Sequence, residues 1–184
     1  YAIKQTLHFK DQLKHYTKDL GLQIKIVREI TPEYLQTCGV NALVLDFDGV
    51  LAAHGEHVPR PEIIIWLQEL SHVYAPHKIY ILSNKPIPTR IEFFRRNFPE
   101  IVFIKAKRKK PYPDGLQEII EHSGLDGRQV MLIDDRLTTG VLAALIAGVQ
   151  VRWVTKPYIN IKGKTLSELW FIFLRWFERL LVAV

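Results

Sequence analysis

Ala42-Leu43-Val44-Leu45-Asp46-Phe47-Asp48-Gly49-Val50-Leu51 is the stretch on which the reading of this chain turns. Its first four residues form an unbroken apolar run, which reads as a strand of a parallel sheet covered on both faces. Asp46 and Asp48 follow at once, so two carboxylates stand at the strand's C-terminal end. In open α/β sheets that edge binds ligands. Residues two apart on an extended chain point the same way, so both acids can face one reaction centre. Acids that close repel each other unless a cation, a proton or separate surroundings keep them apart. Asp-x-Asp-Gly is also turn chemistry and occurs in calcium loops. The calcium-loop reading fits poorly: no further Asp or Asn follows at alternating positions, and no Glu stands at the loop's twelfth position.

Outward from this strand, the pattern alternates. On the N-terminal side Tyr1–Leu20 has a weak helical pattern and Gln23–Ile30 alternates loosely. Thr31-Pro32-Glu33 then starts a short helix, with Thr31 as N-cap and Pro32 at the first helical position. On the C-terminal side Pro61 opens a helix to about Tyr74, with Ile64, Ile65, Leu67 and Leu70 at core spacing. Further strands are predicted at His77–Leu82, Ile101–Ile104, Val130–Ile133 and Val149–Val154. Helices are predicted at Thr89–Phe98, at Pro113–Gly124 with its terminal glycine, at Thr138–Ala147 and at Thr165–Val184. Strands alternating with helices predict an α/β fold with a doubly wound parallel sheet.

A chain of 184 residues, 48% hydrophobic and 24% charged, fits one globular domain. Within 1–184 we expect an N-terminal extension (1–40), a catalytic core (41–155) and a C-terminal helix (165–184). The net charge of +6 favours anionic partners without choosing among nucleic acid, phospholipid and phosphometabolite. Cys38 is the only cysteine, which excludes an intrachain disulfide framework and a thiolate zinc cluster and fits a reducing compartment such as the cytoplasm. No secretory-signal pattern opens the sequence, and a start at Tyr1 rather than Met points to a segment removed ahead of it.

Three later segments supply chemistry at the same sheet edge. Ser83 and Asn84 end the second strand and precede a helix, a hydroxyl and an amide suited to a phosphoryl oxygen, although Ser-Asn is more often a plain turn. Lys105-Ala106-Lys107-Arg108-Lys109-Lys110-Pro111 is mostly a solvated charge run. Lys110, just before Pro111, is the candidate to neutralise a transferring phosphoryl group. Asp134-Asp135 ends the fourth strand, a second acid pair that makes a hard-oxygen site suited to Mg²⁺. Buried and unpaired, such acids would be costly in a purely structural role.

From Ala42 to about Val154 these segments, in this order, resemble the haloacid dehalogenase (HAD) superfamily of aspartate-nucleophile phosphatases. The resemblance implies a Rossmann-like sheet of strand order 5-4-1-2-3, counting from the Ala42 strand. It also implies roles: Asp46 attacks phosphorus and forms an aspartyl phosphate, while Asp48 protonates the leaving alcohol and then activates water. Ser83 holds the phosphoryl group, Asn84 and Gly49 contact substrate, and Lys110 balances the charge. Asp46, Asp48 (through its carbonyl) and Asp135 bind Mg²⁺. Such a set suits phosphoryl transfer, which needs an in-line nucleophile and fixed positive charge.

Ile30-Thr31-Pro32-Glu33-Tyr34-Leu35, Lys105-Ala106-Lys107, Lys110-Pro111 and the basic-aromatic C-terminal helix look more narrowly like the YqeG-type HAD phosphatases. That group includes mitochondrial and plastid phosphatidylglycerophosphate phosphatases. It implies an anionic phospholipid head group as substrate, with peripheral membrane contact on the inner face or the matrix or plastid side. Two departures stand out. The group usually reads Asp-x-Asp-Asn-Thr where this chain has Asp46-Phe47-Asp48-Gly49-Val50. It usually has Gly-Asp, then an Asp five residues on, where this chain has Asp134-Asp135 and Gly140. Asp134 is the candidate substitute for the acid missing at Gly140.

The stretches Ala52–Ile81 and Pro86–Lys110 are used up by core elements, so no separate cap domain fits and an open, lidless site is expected. Such a site suits a phosphate on a membrane, protein or nucleic acid. The C-terminal helix is apolar and aromatic, about 30 Å long. Arg175 at its middle would cost roughly 3 kcal/mol in a bilayer, which argues against spanning. Lys164, Glu168, Arg175, Glu178 and Arg179 share one stripe with Phe171 and Val182. Two readings stay open: an interfacial helix whose Arg175 and Arg179 meet anionic headgroups, and a helix packed on the sheet or in a dimer interface. His54-Gly55-Glu56-His57 reads as a solvated or rim loop rather than a metal site, and Cys38 as a small core residue.

Overall fold

The structure, a computed structural model, describes residues 1–74, 78–161 and 165–183. Its strands are β1 (Gln23–Ile24), β2 (Ala42–Leu45), β3 (Ile79–Leu82), β4 (Val102–Ile104), β5 (Val130–Asp134) and β6 (Gln150–Val154). All pair in parallel, in the order β1-β6-β5-β2-β3-β4. The predicted order holds from β6 to β4. The two-residue β1, at the start of the loosely alternating Gln23–Ile30 stretch, extends the sheet beside Trp153 and Val154.

The helices are α1 (Ala2–His8), α2 (Lys10–Lys18), α3 (Pro32–Thr37), α4 (Pro61–Val73), α5 (Pro88–Asn97), α6 (Asp114–Ser123), α7 (Leu142–Ala147) and α8 (Thr165–Ala183). Thr31 caps α3 through its hydroxyl, which accepts from Tyr34 N–H, and Gly124 ends α6 at φ 66°. The expected helix over Thr138–Ala147 starts instead with a π-turn, Leu137–Val141. His77, Lys164 and Val184, expected in a strand and the last helix, lie outside the described residues.

Alternate residues of each strand feed two cores. Leu43, Leu45, Ile81 and Ile133 pack with Ile63, Trp66, Leu67 and Leu70 of α4 and with Phe94 of α5. Val44, Tyr80, Leu132 and Val151 pack with Leu116 and Ile119 of α6, Leu142 of α7 and Leu13 of α2. Each large side chain so buried stabilises the fold by roughly 1.5–3 kcal/mol. Ile65, expected inside, is 56% exposed, and Ile63 and Trp66 take the inner face of α4 instead. The chain steps from β2 to β3 and β4 on one side, then returns to β5 and β6 on the other. The crevice between the ends of β2 and β5 is therefore the place where strand order reverses.

Candidate active site

Asp46 leaves β2 in that crevice, its N–H donating to Ile133 O at 3.0 Å, and Asp134 and Asp135 leave β5 opposite. All three acids are buried, and each offers an oxygen within 4.8 Å of the others. Lys110 reaches them from the loop after β4. Its Nζ lies 2.9 Å from Asp46 Oδ1 and 2.5 Å from Asp134 Oδ2. Asn84 holds the Lys110 backbone from both sides: its Oδ1 accepts Lys110 N–H at 2.7 Å and its Nδ2 donates to Lys110 O at 3.3 Å. Burial, partly offset by Lys110 and reinforced by Asp134, Asp48 and Asp135, pushes Asp46 up to about 8. Burial also works against the Lys110 charge, but Asp134 and Asp46 outweigh it and hold its pKa above the usual range. Burial raises Asp135 to about 6 against the pull of Arg175.

Asp48 has a different setting. Arg90 of α5, fully buried, grips it with Nη2 on Oδ1 at 2.6 Å and Nη1 on Oδ2 at 2.9 Å, and Gly55 N–H adds to Oδ1 at 2.9 Å. Burial opposes the Asp48 charge, yet the hydrogen bonds and charge of Arg90 keep its pKa below the usual value. Two carboxylates two residues apart are thus pushed in opposite directions, a pattern that marks reaction centres. The Asp48 carboxylate lies outside the acid cluster, because Arg90 and Gly55 turn it away. Ser83 sits behind the site, its hydroxyl accepting from Lys85 N–H at 3.1 Å and from Arg90 Nη1 at 3.3 Å. Gly49, at φ 84°, packs against Asp135: a Cβ there would lie 2.5 Å from Asp135 Oδ2.

The site is not lidless as expected. α8 lies across it with its polar stripe inward: Glu168, Arg175, Glu178 and Val182 are buried. Arg175 Nε donates to Asp135 Oδ2 at 2.5 Å, so this arginine does not face outward. Glu178 accepts from Leu137 N–H at 3.2 Å, Thr138 Oγ1 at 2.6 Å and Arg136. Phe171 stacks on His54, ring centroids 3.4 Å apart, and Glu168 accepts His54 N–H. His54 is therefore a wall residue rather than a solvated one. Burial, opposed by Asp48 and aided by nearby cations, lowers it to about 4, so it is neutral near pH 7. The outer face of α8, with Leu169, Trp170, Phe173, Trp176, Phe177 and Leu180, is exposed. No helix among the described residues is long and apolar enough to cross a membrane.

The space at the site is a cavity of about 100 Å³, partly open to solvent and walled by Asp46, Asp48, His54, Lys110, Asp135 and Arg175, among others. That is well below the roughly 300 Å³ at which small-ligand pockets begin, so it admits a small anion and a cation but not a whole organic substrate. Of the sequence-based candidates, Asp46, Asp48, Asn84, Lys110 and Asp135 line it, and Asp134, Ser83 and Gly49 support it from behind. Arg90 and Arg175 were missed as site residues. Their only sequence signals were an arginine in the first turn of the helix after Ser83 and a charge in the middle of an aromatic helix.

Residues 8–148 match the family of haloacid dehalogenase-like hydrolases, and the chain belongs to that family. Among solved structures it is similar to an uncharacterized protein from Listeria monocytogenes serotype 4b, at 14% identity and TM-score 0.51 over 67% of this chain and 84% of that one. It is also similar to a predicted HAD-like family hydrolase from Porphyromonas gingivalis, at 14% identity and TM-score 0.48 over 72% and 98% of the two chains. A third likeness is a putative phosphoglycolate phosphatase from Lactobacillus delbrueckii subsp. bulgaricus, at 21% identity and TM-score 0.40 over 60% and 53%. No curated protein matches the chain.

Proposed function

We propose that this hydrolase is a Mg²⁺-dependent phosphomonoesterase that works through an aspartyl phosphate on Asp46, with phosphatidylglycerophosphate at a membrane surface as its substrate. The observation that carries the reaction class is the buried cluster of Asp46, Asp134 and Asp135 with Lys110 between two of its members. Buried acids in excess of their cations are hard oxygen donors that a divalent cation would satisfy, so the residues present fit Mg²⁺. Asp46 and Asp135 would hold it, with Asp134 behind them. When bound, the ion would supply positive charge to the phosphoryl oxygens and to the acids.

The remaining chemistry belongs to side chains. Asp46 attacks phosphorus with the oxygen not held by Lys110, and the bond to the leaving oxygen breaks. Lys110 neutralises charge gathering on the phosphoryl group. Asp48, a carboxylate in the free protein, relays the proton of the monoester monoanion to the departing alcohol, then takes one from the water that cleaves the aspartyl phosphate. Arg90 fixes its position for both steps.

The lipid assignment rests on the outer face of α8, which sets Trp170, Phe173, Trp176 and Phe177 in solvent on the same helix that walls the site. A cavity with room only for the phosphoryl end leaves the rest of the substrate outside, as a lipid embedded in a bilayer would be. The test is phosphate release from phosphatidylglycerophosphate, phosphatidate, a phosphopeptide and 3′-phosphorylated DNA, each with and without Mg²⁺. Preference for the lipid phosphomonoester supports the reading. Preference for DNA or phosphopeptide moves the assignment to a phosphatase served by the exposed Lys105, Lys107 and Lys109. No release from any of them leaves a HAD-fold binding protein.

A further inference from the structure

The arginine that α8 lowers into the cavity is bonded at one end only. Arg175 Nε is spent on Asp135, and Nη2 lies toward Gly49, 3.1 Å from where a Cβ there would stand. Nη1 is buried and has no hydrogen-bond partner, although the residue lines the cavity beside Asp46, Lys110 and Asp135. A guanidinium N–H left in this state is expensive, since its desolvation is not offset. An oxyanion is the partner that a guanidinium fork fits best.

We propose that Arg175 is a substrate-binding residue, its Nη1 donating to a non-bridging oxygen of the phosphoryl group that Asp46 attacks and Lys110 neutralises. This rests on the reading of the cavity as a phosphoryl site. It adds that the C-terminal helix completes that site rather than merely covering it. Charge supports it: with all groups ionised, Asp46, Asp48, Asp134, Asp135 and Glu178 face Lys110, Arg90, Arg136 and Arg175, one carboxylate in excess. A divalent cation would reverse that sign and leave the cavity ready for an anion. The backbone agrees as well. Gly49 leaves space that any side chain would take from the Asp135–Arg175 pair, so the loop after β2 and the middle of α8 fit each other only with glycine there.

The test uses the full chain and inorganic phosphate as probe, titrated by calorimetry at saturating Mg²⁺, with no turnover required. Arg175→Gln should weaken phosphate binding about tenfold or more, the value of a hydrogen bond to a charged group. It should raise KM for an aryl phosphate in step, with a smaller change in kcat. If that variant does not fold, Arg175→Lys serves, because it keeps the charge beside Asp135 but loses the fork; it should weaken phosphate binding at least threefold. Parent-like phosphate affinity in the folded variant overturns the proposal and leaves Arg175 as a counter-ion of Asp135. So does a variant whose only change is tighter Mg²⁺ binding, or a parent that binds no phosphate. The two readings fail separately. A parent that hydrolyses nothing but binds phosphate through Arg175 refutes the phosphatase and keeps the subsite. A parent that turns over with KM indifferent to Arg175 does the reverse.

Discussion

The carboxylate of Asp134 stands in the space that a side chain at Gly140 would occupy: a Cβ built on Gly140 would lie 1.9 Å from Asp134 Cγ. The two positions are alternatives in space, so an acid can be held here from the end of β5 or from the π-turn after it, but not from both. Gly140 has no left-handed backbone that requires glycine, so alanine there tests the clash alone. Gly140→Ala should destabilise the protein by about 1–3 kcal/mol, the usual cost of overpacking. Exchanging the pair, Asp134→Gly with Gly140→Asp, should recover much of the loss seen in Gly140→Asp alone. Denaturant melts of the single and double variants measure that coupling. Additive effects would show that the two sites do not share one space.

Asp46 is buried at a cost to stability. Its burial already works against its charge, and Lys110 offsets only part of that. Asp46→Asn keeps the shape and removes the charge. In EDTA above pH 8, where Asp46 would have to ionise, the variant should melt at a higher temperature than the parent, and its phosphate release should fall to background. A folded variant that keeps near-parent activity would remove Asp46 as nucleophile.

The same group gives a pH signature. With a folded pKa near 8 and an ordinary value of 3.8, Asp46 keeps its proton in the folded chain over a range where the unfolded chain has lost it. The unfolded state then binds fewer protons, so this group's contribution to stability falls as pH rises from about 4 to 8, by at most about 1.4 kcal/mol per pH unit. Asp135, raised to about 6, acts with the same sign over the lower part of that range. A Mg²⁺ ion held, as proposed, by the ionised acids should stabilise the protein more as pH rises. Melting temperatures with and without Mg²⁺ at pH 6 and pH 8.5 should differ more at the higher pH. A Mg²⁺ effect independent of pH would mean that these acids do not hold the ion.

Asp48 is held ionised by Arg90, yet its assigned role begins with donating a proton. That role matters most when the leaving alcohol is a poor one. Asp48→Asn should therefore slow hydrolysis of an alkyl phosphate far more than that of an aryl phosphate with a low leaving-group pKa. Equal losses on both would reduce Asp48 to a partner for Arg90.

The sheet and its acids were legible because both are written locally. Ala42–Leu45 and Val130–Ile133 are apolar runs that end in carboxylates, and strand order follows from where such runs recur. What was not legible depends on contacts between distant segments. Gln23 and Ile24 form a strand only because Trp153 and Val154 offer an edge. Arg90 reads as a surface charge until the loop after β2 brings Asp48 to it. The charged stripe of α8 was visible in the sequence, but a stripe of charge on an apolar helix is ordinarily given to water. Here the rule is inverted: the site is itself charged, so the polar face turns in and the aromatic face is left outside.

That inversion separates two proposed roles of α8, completing the cavity and docking to a membrane, that one deletion would confuse. Removing α8 takes Phe171 and Arg175 from the cavity wall and strips Glu178 from Arg136, Thr138 and Leu137. Loss of a buried charge pair costs roughly 3–5 kcal/mol when one partner is left behind. The truncated protein should therefore lose activity on every substrate, soluble or lipid. The outer face needs a separate test. Trp170, Phe173, Trp176 and Phe177 are all exposed, so changing them together to serine and glutamine removes little from the core. That variant should fold, keep its rate on a soluble aryl phosphate within about twofold, and keep its phosphate affinity. It should lose binding to anionic liposomes and activity on phosphatidylglycerophosphate in vesicles, because each aromatic ring withdrawn from the interface forfeits buried apolar area. Arg179 is exposed, but its guanidinium lies over the Trp153 ring, 4.9 Å from the centroid; from there it should still add attraction of order 1 kcal/mol to anionic headgroups, so Arg179→Glu should weaken liposome binding most at low salt. Parent-like liposome binding by the aromatic variant, or no binding by the parent at low salt, would end the membrane assignment. The exposed face of α8 would then be a surface for a protein partner.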